Sequence, residues 1–388
     1  AAEWMREHYL LNLKPDAVHI SSLFEGVDDD IVTSVHLPQL ADLTAVTLHD
    51  LIPLMQADHY LHETTVKHWY YRKLQSLKNA GLILAVSDYS RQEGIDVLGL
   101  DADRVFTIHN AVSADFRPLD LAPERVRSLQ KQYGINRAFI LYIGGVEHRK
   151  NVDNLIIAYN RLGMDLRKKY QLVIAGKLRD YQRDHLLKMA QKNRLGPTDM
   201  VMTGAIDDNE LIALYNMASL FVFPSLYEGF GLPVLEAMAC GCPTIVADNS
   251  SLPEVVGWRE ATFNGLSVEA LTSKMHQVLT NKDFRQALMT NAQEQVKKFS
   301  WDGSARQALD IFREQHARNQ AQNRTTVSMP VKKPLLAFVD NLLDLHARYL
   351  LPALALYYDI EIITERDTLA DAWILANFPL RSRQWLHE

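Results

Sequence analysis

YEGFGLPVLEAMACGCP, residues 227–243, places Glu228 and Glu236 eight positions apart in a segment made otherwise of apolar and small residues. The preceding LFVFPS (220–225) is a short apolar run typical of a buried parallel strand. A proline suits the first turn of the helix that follows, and a glycine suits its end. The pattern predicts a strand, a loop that carries Glu228, and a helix over 232–240 that carries Glu236 one turn in.

The loop after such a strand lies at the carboxyl edge of the sheet, where open α/β sheets bind ligands. We expect the backbone N–H groups of Phe230, Gly231 and Leu232 to point at a ligand from the helix start. Carboxylates such as Glu228 and Glu236 can each accept hydrogen bonds from adjacent hydroxyls. A nucleotide sugar, with hydroxyls on both sides of anionic oxygens, fits this arrangement. The alternative is that both glutamates only complement the helix dipole.

A second candidate segment is YIGGVEHRKN (142–151), which again indicates a strand, a loop and a helix. Gly144 and Gly145 would permit close approach of an anion. Arg149 and Lys150 would bring positive charge for hydrogen bonds to phosphate. The alternative is a solvated helix start with no ligand.

A third candidate is TLHDLIP (47–53), where His49 and Asp50 follow a buried strand. Such a pair could bind sugar hydroxyls or assist proton transfer. The alternative is a structural histidine.

Short apolar runs alternate with helical patterns along most of the chain, which favours parallel sheets covered by helices. We expect an incomplete N-terminal α/β domain over 1–118 and a complete doubly wound domain over 119–318. A polar linker over 319–334 would lead to 335–388, which reads as the opening of a further α/β unit. This last segment either folds back to complete the sheet of the first domain or remains a disordered stub.

The composition excludes several classes of function. A net charge of -6 gives no general attraction for nucleic acid. The two cysteines, Cys240 and Cys242, are too few for a zinc site or a disulfide framework, which favours a reducing cytoplasm. No apolar run is long enough to span a bilayer. The sequence begins without methionine in a helical pattern, which indicates a trimmed start.

These motifs together resemble the family 4 retaining glycosyltransferases of the GT-B fold, which have two Rossmann-like domains facing a cleft. The resemblance covers residues 16 to 318. It rests on the E-x7-E pattern, SSLPEVVG (250–257), the IGGVEHRKN loop, HDLIPL and FSW (299–301), all in family order. The family's usual N-G-hydrophobic-D is replaced here by NAVS (110–113), and its opening strand and glycine-containing acceptor loop are missing from the first domain.

The resemblance implies a role for each candidate residue. Glu236 would hold the ribose hydroxyls, and Arg149 and Lys150 would neutralise the diphosphate. Glu228, with the N–H groups of the helix start, would hold the transferred hexose and the phosphate oxygens. His49, with Asp50, would lie near the sugar.

The resemblance also implies transfer with retention at the anomeric carbon and no metal or other cofactor. The donor would be GDP-mannose and the acceptor a glycan or lipid-linked glycan of cell-surface polysaccharide such as O-antigen. Polysaccharide-assembly proteins are further expected partners, and attachment to the inner face of the membrane is compatible with a cytoplasmic location. Two alternatives are a nucleotide-sugar epimerase and a non-catalytic nucleotide-sugar-binding module of a tandem polymerase.

Overall fold

The computed structural model describes residues 2–322, 335–339 and 359–363, with side chains up to residue 318. The chain divides into two compact units. One contains the described residues up to Asn110 together with those from Trp301 onward, and the other is Ala111–Ser300.

Each unit contains one parallel sheet. The strands of the described residues are β1 (Ala17–Ile20), β2 (Thr44–Leu48), β3 (Leu82–Ala85), β4 (Val105–Thr107), β5 (Ala138–Ile143), β6 (Tyr170–Ala175), β7 (Met200–Met202), β8 (Leu220–Phe223), β9 (Thr244–Ala247), β10 (Thr262–Phe263), β11 (Leu335–Val339) and β12 (Asp359–Ile363). The residues of β1 to β10 are mostly apolar and buried, as parallel strands covered by helices on both faces require.

The helices follow the strands as the sequence pattern predicts. They are α1 (Ala2–Leu13), α2 (Pro38–Ala41), α3 (Ile52–Met55), α4 (Ala57–Tyr60), α5 (Thr64–Asn79), α6 (Asp88–Leu98), α7 (Pro123–Tyr133), α8 (Val152–Arg161), α9 (Met164–Lys169), α10 (Asp180–Lys192), α11 (Asp208–Met217), α12 (Leu232–Ala239), α13 (Leu252–Val256), α14 (Val268–Thr280), α15 (Lys282–Val296) and α16 (Trp301–Gln322). Short 3-10 helices occupy Ala102–Arg104, His148–Lys150 and Arg259–Ala261. No helix of this described part is long and apolar enough to cross a bilayer.

The sheet of the second unit has the strand order β10-β9-β8-β5-β6-β7. The chain runs from β5 outward to β7 and then returns to β8 on the other side of β5. The order therefore reverses between β5 and β8, which pair with Ile140 opposite Leu220. Because all these strands are parallel, the loops after β5 and β8 leave the same edge side by side, where doubly wound sheets bind ligands.

The sheet of the first unit has the strand order β12-β11-β1-β2-β3-β4. Strand β11, from the C-terminal segment, pairs with β1 in parallel, with Ala17 opposite Leu336. Strand β12 pairs with the far side of β11. The sequence LLPALALYYD (350–359) predicts a helix, which lies outside the described residues except for Asp359, the first residue of β12.

The predicted boundary at 318 differs from the observed division, because α16 packs on the first sheet. Alternate residues of the strands, such as Ala45, face α16. They meet its apolar side chains at Ala305, Ala308, Leu309, Ile311 and Phe312. The intervening strand residues, such as Val46, pack with α1 and α5 on the opposite face. The predicted linker also starts later, since residues 319–322 continue α16.

Removal of the C-terminal segment tests the contribution of β11 and β12. In a chain that ends at residue 322, the buried strand β1 becomes an edge with unpaired backbone groups. We expect the melting temperature of the first unit to fall by about 5 °C or more in calorimetry. A chain that ends at residue 363 keeps both strands and is the matched control. Equal melting of the two chains would contradict a structural role for the segment.

Candidate functional site

The loops after β5 and β8 meet in a cluster of three charged side chains. Arg149 Nη1 donates to Glu228 Oε2 at 3.0 Å, and Lys150 Nζ donates to Glu228 Oε1 at 2.6 Å. All three side chains are mostly buried, with Glu228 only 11% exposed. Lys150 also lies over the ring of Phe223, 5.5 Å from its centroid. Two cations therefore share the carboxylate of Glu228 at the edge of the sheet.

The backbone of the two loops is joined directly. Leu226 N–H donates to the carbonyl of Arg149 at 2.7 Å. Asn151, in a left-handed conformation with φ 58°, buries a side chain that donates to the carbonyls of Pro224 at 3.1 Å and Gly265 at 2.8 Å. These bonds fix the turn that carries Arg149 and Lys150 against the loop that carries Glu228.

Two serines after β9 fix the backbone around Glu228. Ser250 Oγ accepts from the Glu228 N–H at 2.9 Å. Ser251 Oγ, fully buried, donates to the carbonyls of Glu228 at 3.0 Å and Phe230 at 2.8 Å. The sequence offers these serines only as part of the SSLPEVVG motif, without a role. The structure assigns them to the support of the loop.

Helix α12 begins at the predicted position, with Pro233 in its first turn. Gly231 precedes it with φ 110°, and a Cβ there would lie 2.8 Å from Leu252 Cδ2. Any larger residue would therefore be strained and would clash with α13. The buried ring of Phe230 packs edge-on against Phe299, 5.6 Å between centroids. The start of α12 thus has little freedom to shift.

The glycines after β5 lie beside the same cluster. Gly144 has φ 138°, and its N–H donates to the carbonyl of Ala175 at 3.2 Å. The buried hydroxyl of Tyr142 donates to the carbonyl of Gly145 at 2.6 Å. A Cβ at Gly145 would lie 2.8 Å from a carboxylate oxygen of Glu147. The positive φ of Gly144 disfavours any side chain there, whereas at Gly145 the neighbouring atom belongs to an exposed and flexible side chain.

Glu236 lies in the second turn of α12, apart from the charged cluster. Its Oε2 accepts from the hydroxyl of Tyr215 on α11 at 2.8 Å. Burial raises the pKa of Glu236 to about 7, while the Tyr215 hydrogen bond lowers it and the charge of Asp208 raises it. The carboxyl group therefore changes charge near neutral pH.

His49 and Asp50 belong to the first unit, whereas the other predicted site residues belong to the second. His49 Nε2 is 2.9 Å from the carbonyl of Ser21. Asp50 Oδ1 accepts from the N–H of Ile52 at 2.9 Å, which supports the first turn of α3. The carboxylate of Asp50 thus has a structural role at the start of α3.

Helix α6 holds this segment from behind with residues that the sequence pattern did not single out. Ser90 Oγ donates to the carbonyl of His49 at 2.9 Å. Glu93, one turn further, accepts from the N–H of Leu51. Burial, with a smaller contribution from the charge of Asp50, raises the pKa of Glu93 to about 7. The only sequence signal for these residues is that Ser90 and Glu93 are polar and three apart on a helix. This pattern is too common to predict a functional role.

The raised pKa of Glu93 predicts a pH-dependent stability. The folded protein keeps this proton up to about pH 7, whereas the unfolded chain loses it near pH 4.5, so stability falls as pH rises between these values. We expect Glu93→Gln, which keeps an acceptor for Leu51, to raise the free energy of unfolding by about 1–3 kcal/mol more at pH 8 than at pH 4.5. Urea denaturation at both pH values measures this difference. Glu63→Gln, at an exposed carboxylate, should show none, and an equal effect of both substitutions would refute the assignment.

The family model for glycosyl transferases group 1 matches residues 127–295, and the model for glycosyltransferase family 4 matches residues 1–116. The Escherichia coli serotype-specific mannosyltransferase WbdA is 38% identical over 312 residues, which is 80% of this chain and 38% of that protein. This chain therefore spans about two fifths of the length of WbdA. The E. coli O-antigen chain mannosyltransferase B is 34% identical over 278 residues, 72% of each chain.

A solved structure supports the fold. The sucrose-phosphate synthase from Thermosynechococcus elongatus superposes with a TM-score of 0.60 over 71% of this chain and 68% of that one, at 22% identity. Two parallel-sheet units of Rossmann type and this likeness agree with the expected GT-B fold class.

Proposed function

We propose that this chain, which belongs to the family 4 glycosyltransferases, transfers a hexose from a nucleotide sugar to a growing glycan in cell-surface polysaccharide synthesis. The observation that carries the proposal is the cluster of Arg149, Lys150 and Glu228 at the switch point of the second sheet. Two cations beside a helix start suit the diphosphate of a nucleotide sugar, which bears negative charge and leaves with more.

The proposed donor is GDP-mannose. Its support is that the relatives matched over most of this chain are named as mannosyltransferases, one of them of the O-antigen chain. The proposed acceptor is a glycan or lipid-linked glycan, with polysaccharide-assembly proteins as further partners. Attachment to the inner face of the membrane would bring the enzyme to a lipid-linked acceptor.

The proposed mechanism is transfer with retention, without a metal ion. Arg149 and Lys150 stabilise the departing diphosphate, which supplies the main electrostatic contribution to catalysis. Glu228 accepts hydrogen bonds from the transferred hexose, and Glu236 holds the ribose. His49 and Asp50 act on the transferred sugar.

The direct experiment incubates the protein with GDP-mannose and a mannosyl acceptor, with and without EDTA, and measures GDP and extended glycan. We expect both products, unchanged by EDTA, with the anomeric configuration of the donor retained in the new bond by NMR. Epimerised donor without GDP would favour a nucleotide-sugar epimerase. Binding of GDP-mannose without turnover would favour a non-catalytic module of a tandem polymerase. A calorimetric panel of GDP- and UDP-sugars identifies the donor.

Substitutions at the two glutamates should separate binding from turnover. Glu236→Ala removes the proposed ribose acceptor, so we expect GDP affinity to fall about tenfold or more. Glu228→Gln removes the negative charge to which both Arg149 and Lys150 are bonded, so the affinity for GDP should stay equal or rise. The value of kcat should nevertheless fall about tenfold or more. Calorimetry with GDP and initial rates measure the two effects. Unchanged GDP affinity in Glu236→Ala would overturn the ribose assignment.

Glu228→Gln is preferred to Glu228→Ala because the amide still fills the space between the two cations. The alanine would leave both mostly buried cations without their shared partner, at a cost to stability that would obscure the kinetics. Loss of GDP binding in Glu228→Gln would show that the carboxylate arranges the cations and does not act on the sugar.

A further inference from the structure

Tyr215 lies in the interior of the second unit with its hydroxyl on Glu236. The residue is fully buried, and its ring packs edge-on against Phe221 at 5.4 Å and Phe116 at 6.2 Å between centroids. Its hydroxyl donates to Glu236 Oε2 at 2.8 Å. Full burial and two packed rings leave the phenol little room to rotate, so the position of this donor is fixed by packing.

The hydroxyl of Tyr215 remains a donor at every physiological pH. Burial and the neighbouring charge of Glu236 raise its pKa well above the ordinary value for tyrosine. It can therefore only donate to the carboxylate, not compete with it for a proton. A neutral donor of this kind stabilises the charged form of an acid.

We propose that Tyr215 is a positioning residue for nucleotide binding, which holds Oε2 of Glu236 and so leaves Oε1 to accept from a nucleoside ribose. This inference rests on the proposed function, because it needs Glu236 to contact the ribose. Glu236 is itself only partly buried, so one side of the carboxyl group is accessible from outside the protein. Glu236 sits on α12 and Tyr215 on α11, so the bond also fixes the two helices against each other at the site.

Burial raises the pKa of Glu236, and the hydrogen bond from Tyr215 lowers it. The other titratable neighbours do not lower this pKa. Asp208, at the start of α11, raises the pKa of Glu236 by its negative charge. Cys240, directly after the end of α12, has a pKa raised to about 12 by burial and by Glu236, so it remains neutral. Cys242 lies near the phenol, and burial raises its pKa as well. Tyr215 is thus the neighbour in this group that keeps Glu236 ionised as pH falls towards neutrality.

A pH dependence of nucleotide binding follows. The ionised carboxylate accepts more hydrogen bonds than the protonated group, so binding should weaken as pH falls through about 7. Tyr215→Phe removes a bond that lowers the pKa, so Glu236 should hold its proton to a higher pH. The loss of affinity should then begin at a higher pH than in the unsubstituted protein.

The test is calorimetric titration of GDP between pH 6 and 9 in the full chain. We expect Tyr215→Phe to bind GDP about tenfold more weakly at pH 7.5, with the midpoint of the pH dependence raised by about one pH unit. Tyr159→Phe is the matched control, because Tyr159 is equally buried in the same unit and its hydroxyl donates to the carbonyl of Tyr170 at 2.8 Å instead. Both variants lose one buried hydrogen bond, so thermal melting should fall similarly while only Tyr215→Phe shifts the midpoint.

Combining Tyr215→Phe with Glu236→Gln tests whether the shift arises from the bond between Tyr215 and Glu236. This variant has no carboxyl group to titrate, so the contribution of Glu236 to the pH dependence disappears and Tyr215→Phe should add no shift. The titration of the GDP phosphate itself is common to all variants. A midpoint unchanged by Tyr215→Phe, or shifted equally by Tyr159→Phe, would overturn the role of Tyr215. Failure of the unsubstituted protein to bind GDP or UDP would instead contradict the proposed function, and the ribose assignment with it.

Discussion

The parallel pairing of β5 with β8 is the contact on which the candidate site depends. These strands are about 80 residues apart in the chain, yet the pairing sets their carboxyl ends side by side at the point where the strand order reverses. The loop after β5 supplies two cations and the loop after β8 supplies their carboxylate. Burial on both faces of the sheet fixes the register, so the charged groups inherit a rigid support. The serines after β9 and the asparagine at the start of α8 then complete a hydrogen-bonded frame around it.

The sheet of the first unit also contains a reversal of strand order, but its strands come in a different order along the chain. If the strands are followed from β11, the chain moves outward to β12, and β1 to β4 continue on the other side of β11. The reversal would then fall between β11 and β1, as in a doubly wound sheet whose chain order has been permuted. Helix α16 makes this connection compatible with packing, because its apolar face covers the same sheet before the chain reaches β11. Both the burial of α16 and the pairing with β1 therefore favour the position of β11 in this sheet.

Local sequence patterns predicted the elements well but could not predict which of them meet. The strand, loop and helix around Glu228 follow from apolar runs, a proline and glycines, and the structure confirms them. The ion pairs of Arg149 and Lys150 with Glu228 depend on strand order, which no local period encodes. Tyr215 reads as an ordinary core residue because its hydroxyl becomes significant only when α12 packs on α11. The domain expected over 119–318 would include α16 from Trp301 to residue 318, whereas this helix packs on the first sheet against partners nearly 200 residues or more away in sequence.

The two glutamates of the opening motif have opposite electrostatic environments, and this difference accounts for their separate roles in the proposed reaction. Glu228 has two cations within hydrogen-bonding distance, which offset the cost of burying its charge. Glu236 has a neutral phenol and a nearby acid, so its charge near pH 7 is held only weakly. A diphosphate that binds beside Glu228 must compete with a carboxylate for Arg149 and Lys150, whereas a ribose that binds Glu236 meets a carboxylate that is bonded to a neutral phenol. Affinity for the nucleoside can therefore be changed through Glu236 and Tyr215 without altering the positive charge that a departing diphosphate requires.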